Sequence, residues 1–165
     1  MNRDMLKGAI IDPTGQYRYT LWRICNHDLP MVLFIMLNPS TADENVDDAT
    51  IRRCIGFAKA WGYGSLEVVN LFAYRATDPR QLKVANDPVG PDNDAYILRE
   101  ASRADRIILA WGTNGTLLGR NRKVYSLVAR YKPECIDISL DGHPKHPLYL
   151  SANQEPFVYP KEAIS

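Results

Sequence analysis

The feature that most constrains the fold of this chain is a set of four short, continuous apolar runs separated by longer stretches. The runs are Met31–Leu37, Leu66–Phe72, Arg106–Trp111 and Glu134–Ile138. Such a run is typical of a β-strand that is covered on both faces. The stretches between the runs have the character of helices. Because alternating strands and helices are joined by right-handed crossovers, the sequence predicts parallel strands with helices on both faces of the sheet.

Three helices are expected between the runs, because apolar residues recur at helical spacing and side chains that cap helices stand near the expected starts. Their ranges are about Ala49 to Trp61 with Asp47 or Asp48 as the cap, Asp92 or Asn93 to about Ser102, and Leu117 to Tyr131. Earlier in the chain, Tyr17–Ile24 alternates bulky with polar or small residues and predicts another strand. We expect it to pair antiparallel with Met31–Leu37, and the tail from Leu148 onward to be irregular.

Length and composition indicate a single globular domain. The chain has 165 residues, of which 45% are hydrophobic and 24% are charged, so it can bury a core without disulfides or a metal ion. We expect residues 1–165 to form one α/β domain. Its expected architecture is a three-layer α/β/α arrangement with a mostly parallel central sheet and an N-terminal antiparallel strand.

The cysteines indicate a reducing compartment. Cys25, Cys54 and Cys135 are odd in number and lie in or beside apolar runs, which favours reduced, buried thiols.

The N-terminus does not have the form of a signal peptide, and no apolar run is long enough to cross a bilayer. These features predict a cytoplasmic protein without membrane contact. The net charge of +1 argues against a strongly basic nucleic-acid protein, although a local basic patch is compatible with it.

Polar residues or glycines follow each of the four apolar runs, and a ligand site is expected there. In open α/β sheets, ligands bind outside the carboxyl ends of the strands. Because those ends meet at one edge of the sheet, the segments after them should line a single pocket. The segments are Asn38–Asp43, Asn70–Arg75, Trp111–Gly115 and Asp141–Pro147.

The first segment begins with Asn38-Pro39-Ser40-Thr41. The Asn38 amide can hold a water or the edge of a base, because it offers both donors and an acceptor. An asparagine before proline also commonly bonds its own backbone in a turn. Ser40 and Thr41 can contact a phosphate or close that turn, and the glycines and lysine of a P-loop are missing.

An acidic cluster follows, and it has two interpretations. Asp43, Glu44, Asp47 and Asp48 include candidates for a general base, and carboxylates at a helix start also stabilise the helix without any catalytic role. The spacing matches no calcium-binding loop, so no metal site is predicted.

Two histidines, His143 and His146, stand in the last segment, each followed by a proline that stiffens the path of the chain. Either imidazole can stabilise a developing anion or bond a ligand carbonyl. The same loop can equally be a rigid surface element. Other candidate contacts to a flat, polar ligand come from the remaining strand ends. They are Asn70, Tyr74, Arg75, Trp111, Gly112 and Lys145.

Several of these segments together resemble a bacterial and phage family of unknown function. They are Arg18-Tyr19, Phe34–Asp43, Asn70–Thr77, Ala110–Gly112 and His146–Leu150, and the string Leu-Asn-Pro-Ser-Thr-Ala-Asp from Leu37 to Asp43 is the most specific of them. More distantly, the segments resemble, in the same order, the uracil-DNA glycosylase superfamily. This second resemblance implies a fold of that type. It also implies that Asn38 positions the hydrolytic water, that Asn70 reads the base edge, and that His146 or His143 contacts the base or its anion.

The function expected from the residues and the resemblance is hydrolysis of an N-glycosidic bond in a nucleobase, nucleotide or nucleic-acid ligand, with Tyr74 or Trp111 stacking the base. One alternative is a non-catalytic module that binds a nucleotide or single-stranded nucleic acid in the same cleft. Another is a hydrolase or transferase that uses the acids from Asp43 to Asp48. None of these interpretations requires a cofactor.

Overall fold

The described part of the chain, residues 5–164 of this computed structural model, contains seven β-strands and three α-helices. The strands are β1 (Leu6–Ile11), β2 (Arg18–Ile24), β3 (Met31–Met36), β4 (Ser65–Asn70), β5 (Arg106–Leu109), β6 (Glu134–Cys135) and β7 (Phe157–Val158). The helices are α1 (Ala49–Ala60), α2 (Asn93–Arg103) and α3 (Arg120–Val128). All seven strands join one mixed sheet in the order β1-β2-β4-β3-β5-β6-β7.

The centre of the sheet is parallel, as the four apolar runs predict. Strand β3 pairs with β4 and β5, and β5 pairs with β6, all in parallel. One α-helix lies in each crossover: α1 between β3 and β4, α2 between β4 and β5, and α3 between β5 and β6. The carboxyl ends of the four strands therefore lie at the same edge of the sheet.

The flanks of the sheet are antiparallel, so the sheet is mixed rather than mostly parallel. Strand β2 pairs with β1 and β4, and β7 pairs with β6. The predicted pairing of β2 with β3 is wrong. Residues 32–35 of β3 are fully buried, and β3 pairs with β4 on one side and β5 on the other. Strand β2 therefore pairs with the remaining edge of β4. Strands β1 and β7 were not predicted. Lys7 and Gly8 interrupt the apolar pattern of β1, and β7 has only two residues.

The side chains of β3 alternate between two hydrophobic clusters. Leu33 and Ile35 join a cluster that contains residues of α2 and α3, whereas Val32, Phe34 and Met36 join one that contains residues of α1. A strand with helices over both of its faces requires this alternation. The helical members are Ile97, Ala101, Val124 and Val128 in the first cluster and Ile51, Cys54, Phe57 and Ala58 in the second.

The helix boundaries agree with the sequence for α1 and α2 and differ for α3. Of the two predicted caps of α1, Asp48 is the one that accepts a hydrogen bond from the backbone N–H of Ile51, at 2.9 Å. Helix α3 begins three residues later than predicted, after a 3-10 segment over Thr113–Gly119. Leu118, which the helical pattern places on an apolar face, has φ of 55° and is 68% exposed.

The thiols are reduced, and two of the three are buried. Cys54 and Cys135 are buried, whereas Cys25 is half-buried. Burial raises the pKa of the Cys54 thiol and raises that of Cys135 to about 12, so neither forms a reactive thiolate near neutral pH. Among the helices of residues 5–164, none is both long and apolar enough to cross a membrane.

The end of β4 is fixed by side chains from α2 and α3. Asn93 is fully buried at the start of α2, and its Nδ2 donates to the carbonyls of Asn70 at 2.9 Å and Leu71 at 3.1 Å. Arg120 Nε donates to the same Leu71 carbonyl at 3.0 Å, and the guanidinium forms an ion pair with Asp94 at 2.7 Å. Because a buried carbonyl is costly without a donor, these bonds determine where the chain leaves the strand.

Replacing Asn93 should therefore destabilise the fold. We expect Asn93→Ala to lower the free energy of unfolding by about 1–3 kcal/mol, because two buried carbonyls lose a donor. The control Asn86→Ala changes an exposed asparagine and should stay within about 0.5 kcal/mol of the parent. Urea unfolding measures both variants, and equal stabilities would contradict the assigned role of Asn93.

Candidate active site

A cavity of about 530 Å³ opens at the edge of the sheet where β3, β4 and β5 end. This volume lies within the usual range of small-molecule sites. The residues that line it follow directly on these strands, begin α1 or belong to the late histidine segment. Those predicted from the sequence are Asn38, Pro39, Ser40, Asn70, Trp111, Gly112 and His146.

Asn38 lines the cavity, and its side-chain amide is held in one orientation. Its Nδ2 donates to the carbonyls of Pro39 at 3.0 Å and Ala76 at 2.8 Å, and the N–H of Ala76 donates back to Pro39 at 2.9 Å. Two carbonyl acceptors on one side require the NH₂ group there, which fixes the orientation of the amide. The oxygen Oδ1 accepts no hydrogen bond from residues 5–164. It is thus an oriented acceptor for a water or for a ligand donor.

Asn70 contributes a buried amide to the wall of the cavity. It is the last residue of β4 and is 1% exposed. Its Nδ2 lies in the buried interior and bonds to no group in the described chain. An unbonded buried donor is costly, so this amide is suited to a ligand acceptor or an ordered water.

His146 lines the cavity as a neutral donor. Its Nδ1 accepts a hydrogen bond from the backbone N–H of Leu148 at 3.2 Å. A neutral imidazole whose Nδ1 is an acceptor carries its proton on Nε2. Burial lowers the pKa of His146, and the negative charge of Asp48 opposes that shift only in part. The imidazole is therefore uncharged near neutral pH and can donate from Nε2.

The loop that carries His146 is tied to the end of β5 through Gly112. The Gly112 N–H donates to the carbonyl of Pro144 at 2.8 Å. Gly112 has φ of 76° and ψ of −158°, a conformation that is essentially limited to glycine. Arg53 of α1 adds a longer bond, from Nε to the carbonyl of Pro147, at 3.4 Å. These contacts hold the loop against both β5 and α1.

Arg18, which was not predicted as a site residue, brings a buried positive charge to the same cavity. The residue is 2% exposed, and its Nη1 donates to the carbonyl of Ala42 at 3.1 Å. Its Nε is buried and bonds to no group in residues 5–164. Burial lowers the pKa of Arg18 to about 10, and the nearby charge of Asp48 opposes the shift. The guanidinium remains charged at neutral pH.

Trp111 closes the inner wall of the cavity. It is 1% exposed and belongs to the hydrophobic cluster with α2 and α3. Its indole packs so tightly on Gly115 that a Cβ there would come within 2.5 Å of Trp111 Cδ1. The ring is thus held in place as part of the core and offers the cavity little of its surface.

Several predicted site residues lie outside this cavity and bind other parts of the protein. Thr41 is exposed. Asp47 pairs with the buried guanidinium of Arg23 at 2.7 Å, and the Asp43 carbonyl accepts from Arg23 Nη2 at 2.6 Å. The Asp43 carboxylate accepts from the N–H groups of Asn45 and Val46, which lower its pKa. The two acids therefore have structural partners.

The aromatic and basic candidates on the neighbouring loops also lie away from the cavity. Tyr74 forms an edge-on ring contact with Tyr17, and Arg75 Nη1 donates to the carbonyl of Gly15 at 3.3 Å. His143 lies in a turn, where its N–H donates to Ser139 Oγ at 3.0 Å. Lys145 forms an ion pair with Asp137 at 3.1 Å. Of the two predicted histidines, the cavity lining includes His146 and not His143.

Some residues that line the cavity were not predicted as site residues. Arg18 is one, and Tyr149, which is 87% exposed at the rim beside His146, is another. Thr50 also lines the cavity where α1 begins, next to Asp48, which the sequence offered as a candidate within the acidic cluster. Arg18 lies in the segment that resembles the bacterial and phage family, and this was the signal that could have identified it. In the part of the chain that the structure describes, no three His, Cys, Asp or Glu residues are grouped as metal ligands.

Comparison with known proteins yields one match. A family model described as "Protein of unknown function (DUF1643)" matches residues 18–148, which include Arg18, Asn38, Asn70 and His146. No curated protein and no solved structure matches the chain significantly.

The burial of His146, which lowers the pKa of its imidazole, should make stability depend on pH. The pKa of His146 is lower in the folded state than its ordinary value of 6.5. The unfolded state therefore binds more protons between these two values, and stability is lost as the pH falls through them. We expect the free energy of unfolding to fall from pH 7.5 to pH 5 more steeply in the parent than in His146→Gln.

Urea unfolding at the two pH values measures this difference. The control His27→Gln removes an exposed imidazole and should retain the pH dependence of the parent. If His146→Gln and the parent lost the same stability on acidification, the neutral, bonded state of His146 would be wrong.

Proposed function

We propose that this chain, which belongs to the DUF1643 family of proteins of unknown function, has a glycosylase-like activity. The reaction is hydrolysis of the N-glycosidic bond of a nucleobase or nucleotide held in the cavity. One observation carries the proposal. An oriented acceptor on Asn38, a buried unbonded donor on Asn70 and a neutral donor on His146 line a single cavity. These are the groups that the reaction needs for the water, the base edge and the leaving base.

The reaction assigns one step to each group. Asn38 Oδ1 accepts a hydrogen bond from a water and directs its oxygen at the sugar C1′ atom. The new C1′–O bond forms as the C1′–N bond breaks, and the bonding electron pair leaves with the base. His146 Nε2–H donates to the oxygen on which the negative charge of the base develops, as a preorganised donor in a water-poor site should. The proton lost by the water passes to Asp48, whose carboxylate lies in the same lining.

Recognition of the base falls to Asn70. A nucleobase offers ring nitrogens and carbonyl oxygens along its edge, and the Asn70 NH₂ group can donate to either. Trp111, which is buried, and Tyr149, whose ring is exposed, also line the cavity. We also propose that the fold is a three-layer arrangement of the uracil-DNA glycosylase type. It is supported by the sequence resemblance and by helices packed on both faces of the sheet.

The geometry favours this reaction over one carried by the acidic cluster as a whole, because of its four acids Asp48 alone lines the cavity. Asp43 and Asp47 bind Arg23 or backbone N–H groups and do not line the cavity. A non-catalytic module that binds the same ligands is the alternative, because Arg18 and Asn70 serve binding whether or not a bond breaks. Turnover separates the two.

The test measures free base released from nucleosides, nucleoside monophosphates and single-stranded oligonucleotides that contain uracil or modified bases. We expect Asn38→Ala to reduce release roughly 100-fold or more, because the water loses its oriented acceptor. The control Thr41→Ala changes an exposed neighbour outside the cavity and should leave the rate unchanged.

Two results would contradict the proposal. The first is release of base that Asn38→Ala leaves intact. The second is binding of these ligands, weakened by Asn70→Ala, without release from any of them, which would assign the binding module instead.

A further inference from the structure

The guanidinium of Arg18 is a buried cation without an anionic partner in contact. Within residues 5–164, no Asp or Glu carboxylate oxygen lies within 4.0 Å of its nitrogens. Among these residues, the guanidinium makes one hydrogen bond, from Nη1 to the Ala42 carbonyl, and its Nε is buried without a partner. A buried charge of this kind is unfavourable unless an anion completes it. Because Arg18 lines the cavity, a ligand can supply that anion.

The start of α1 faces the same space. Asp48, Ala49 and Thr50 line the cavity at the first turn of this 12-residue helix. The first N–H groups of a helix have no partner within it and carry a partial positive charge. The Asp48 side chain occupies the N–H of Ile51, which leaves those of Ala49 and Thr50 without an intrahelical acceptor. Two independent sources of positive potential thus meet in one cavity.

Asp48 is the carboxylate that opposes an anion here. Its Oδ1 is engaged by the helix through Ile51, and its charge acts on both Arg18 and His146. It forms no ion pair with Arg18 in the described chain, and burial still lowers the pKa of that guanidinium to about 10. The site therefore has an unmet requirement for negative charge beyond what Asp48 supplies.

We infer that Arg18 and the first turn of α1 form an anion subsite, and that the ligand of the cavity is a nucleoside 5′-monophosphate whose phosphate occupies it. The inference rests on the proposed function, since it takes the base to be held by Asn70. Phosphate fits a guanidinium and a helix start because both offer several N–H donors.

A free nucleotide is favoured over a nucleic-acid strand by the charges that line the cavity. A strand is held by a series of cations that track its phosphates. In the described residues that line this cavity, Arg18 is the one lysine or arginine. The volume of about 530 Å³ also suits a single small ligand.

The test compares the affinities of each common nucleoside, its 5′-monophosphate, inorganic phosphate and a short single strand without terminal phosphates, by calorimetry. We expect the monophosphate to bind at least tenfold more tightly than its nucleoside, and Arg18→Gln to remove most of that advantage. Because Arg18 is buried and its replacement can impair folding, a second pair of variants is needed.

Thr50→Asp and Thr50→Asn form that pair. The two new side chains have the same size, and an acidic residue in the first turn of a helix favours the helix. Thr50→Asp places a negative charge at the subsite, so we expect it to weaken the monophosphate at least fivefold relative to Thr50→Asn while binding of the nucleoside stays equal in the two. Equal binding of the monophosphate by this pair would overturn the anion subsite.

The remaining outcomes separate this inference from the proposed function. Base release from nucleosides and monophosphates with equal kcat/KM would support the glycosylase activity and overturn the phosphate subsite. Tighter binding of the monophosphate without any release would support the subsite and overturn the activity. Tighter binding of the single strand than of the monophosphate would overturn the choice of a free nucleotide, and failure of every probe to bind would overturn both.

Discussion

The arrangement of the site depends on the interaction between the buried guanidinium of Arg23 and the loop after β3. The Arg23 side chain has no exposed surface, and it bonds to the carboxylate of Asp47 and to the carbonyls of Asp43, Trp22 and Gly8. A charge buried in this way must have partners, so the loop after β3 closes onto β2 and stays there. The closure brings the chain to Asp48, where α1 begins against the cavity. Of the acids that look like catalytic candidates in the sequence, Asp43 and Asp47 are thereby used to hold the loop.

The parallel centre of the fold could be predicted because strands buried on both faces leave a simple record in the sequence. The four apolar runs become β3 to β6, and the helices between them have nearly the expected bounds. The flanks could not be predicted in the same way. Strand β1 has an exposed Lys7 and a glycine and alternates weakly, and the position of β2 depends on which edge of the central strands remains free. That choice is made by packing, which a local pattern does not encode.

The candidate site shows the same division. Asn38, Asn70, Gly112 and His146 follow strands that end at one edge, so the rule for open α/β sheets places them together. Arg18 lies outside the reach of this rule, because it begins its strand. Since β2 runs antiparallel to β4, the start of β2 lies at the edge where β4 ends. The sequence favours His146 over His143 only through the resemblance, and the structure separates them by the turn that bonds His143 to Ser139.

The bond from Gly112 to Pro144 joins the end of β5 to the histidine loop, so it is broken whenever that loop leaves the sheet. The amide proton of Gly112 is protected from exchange with solvent for as long as the bond is intact. Its rate of exchange with deuterium therefore reports how often the loop detaches. A single backbone proton thus measures the free energy that keeps the imidazole at the cavity, separately from the global unfolding of the protein.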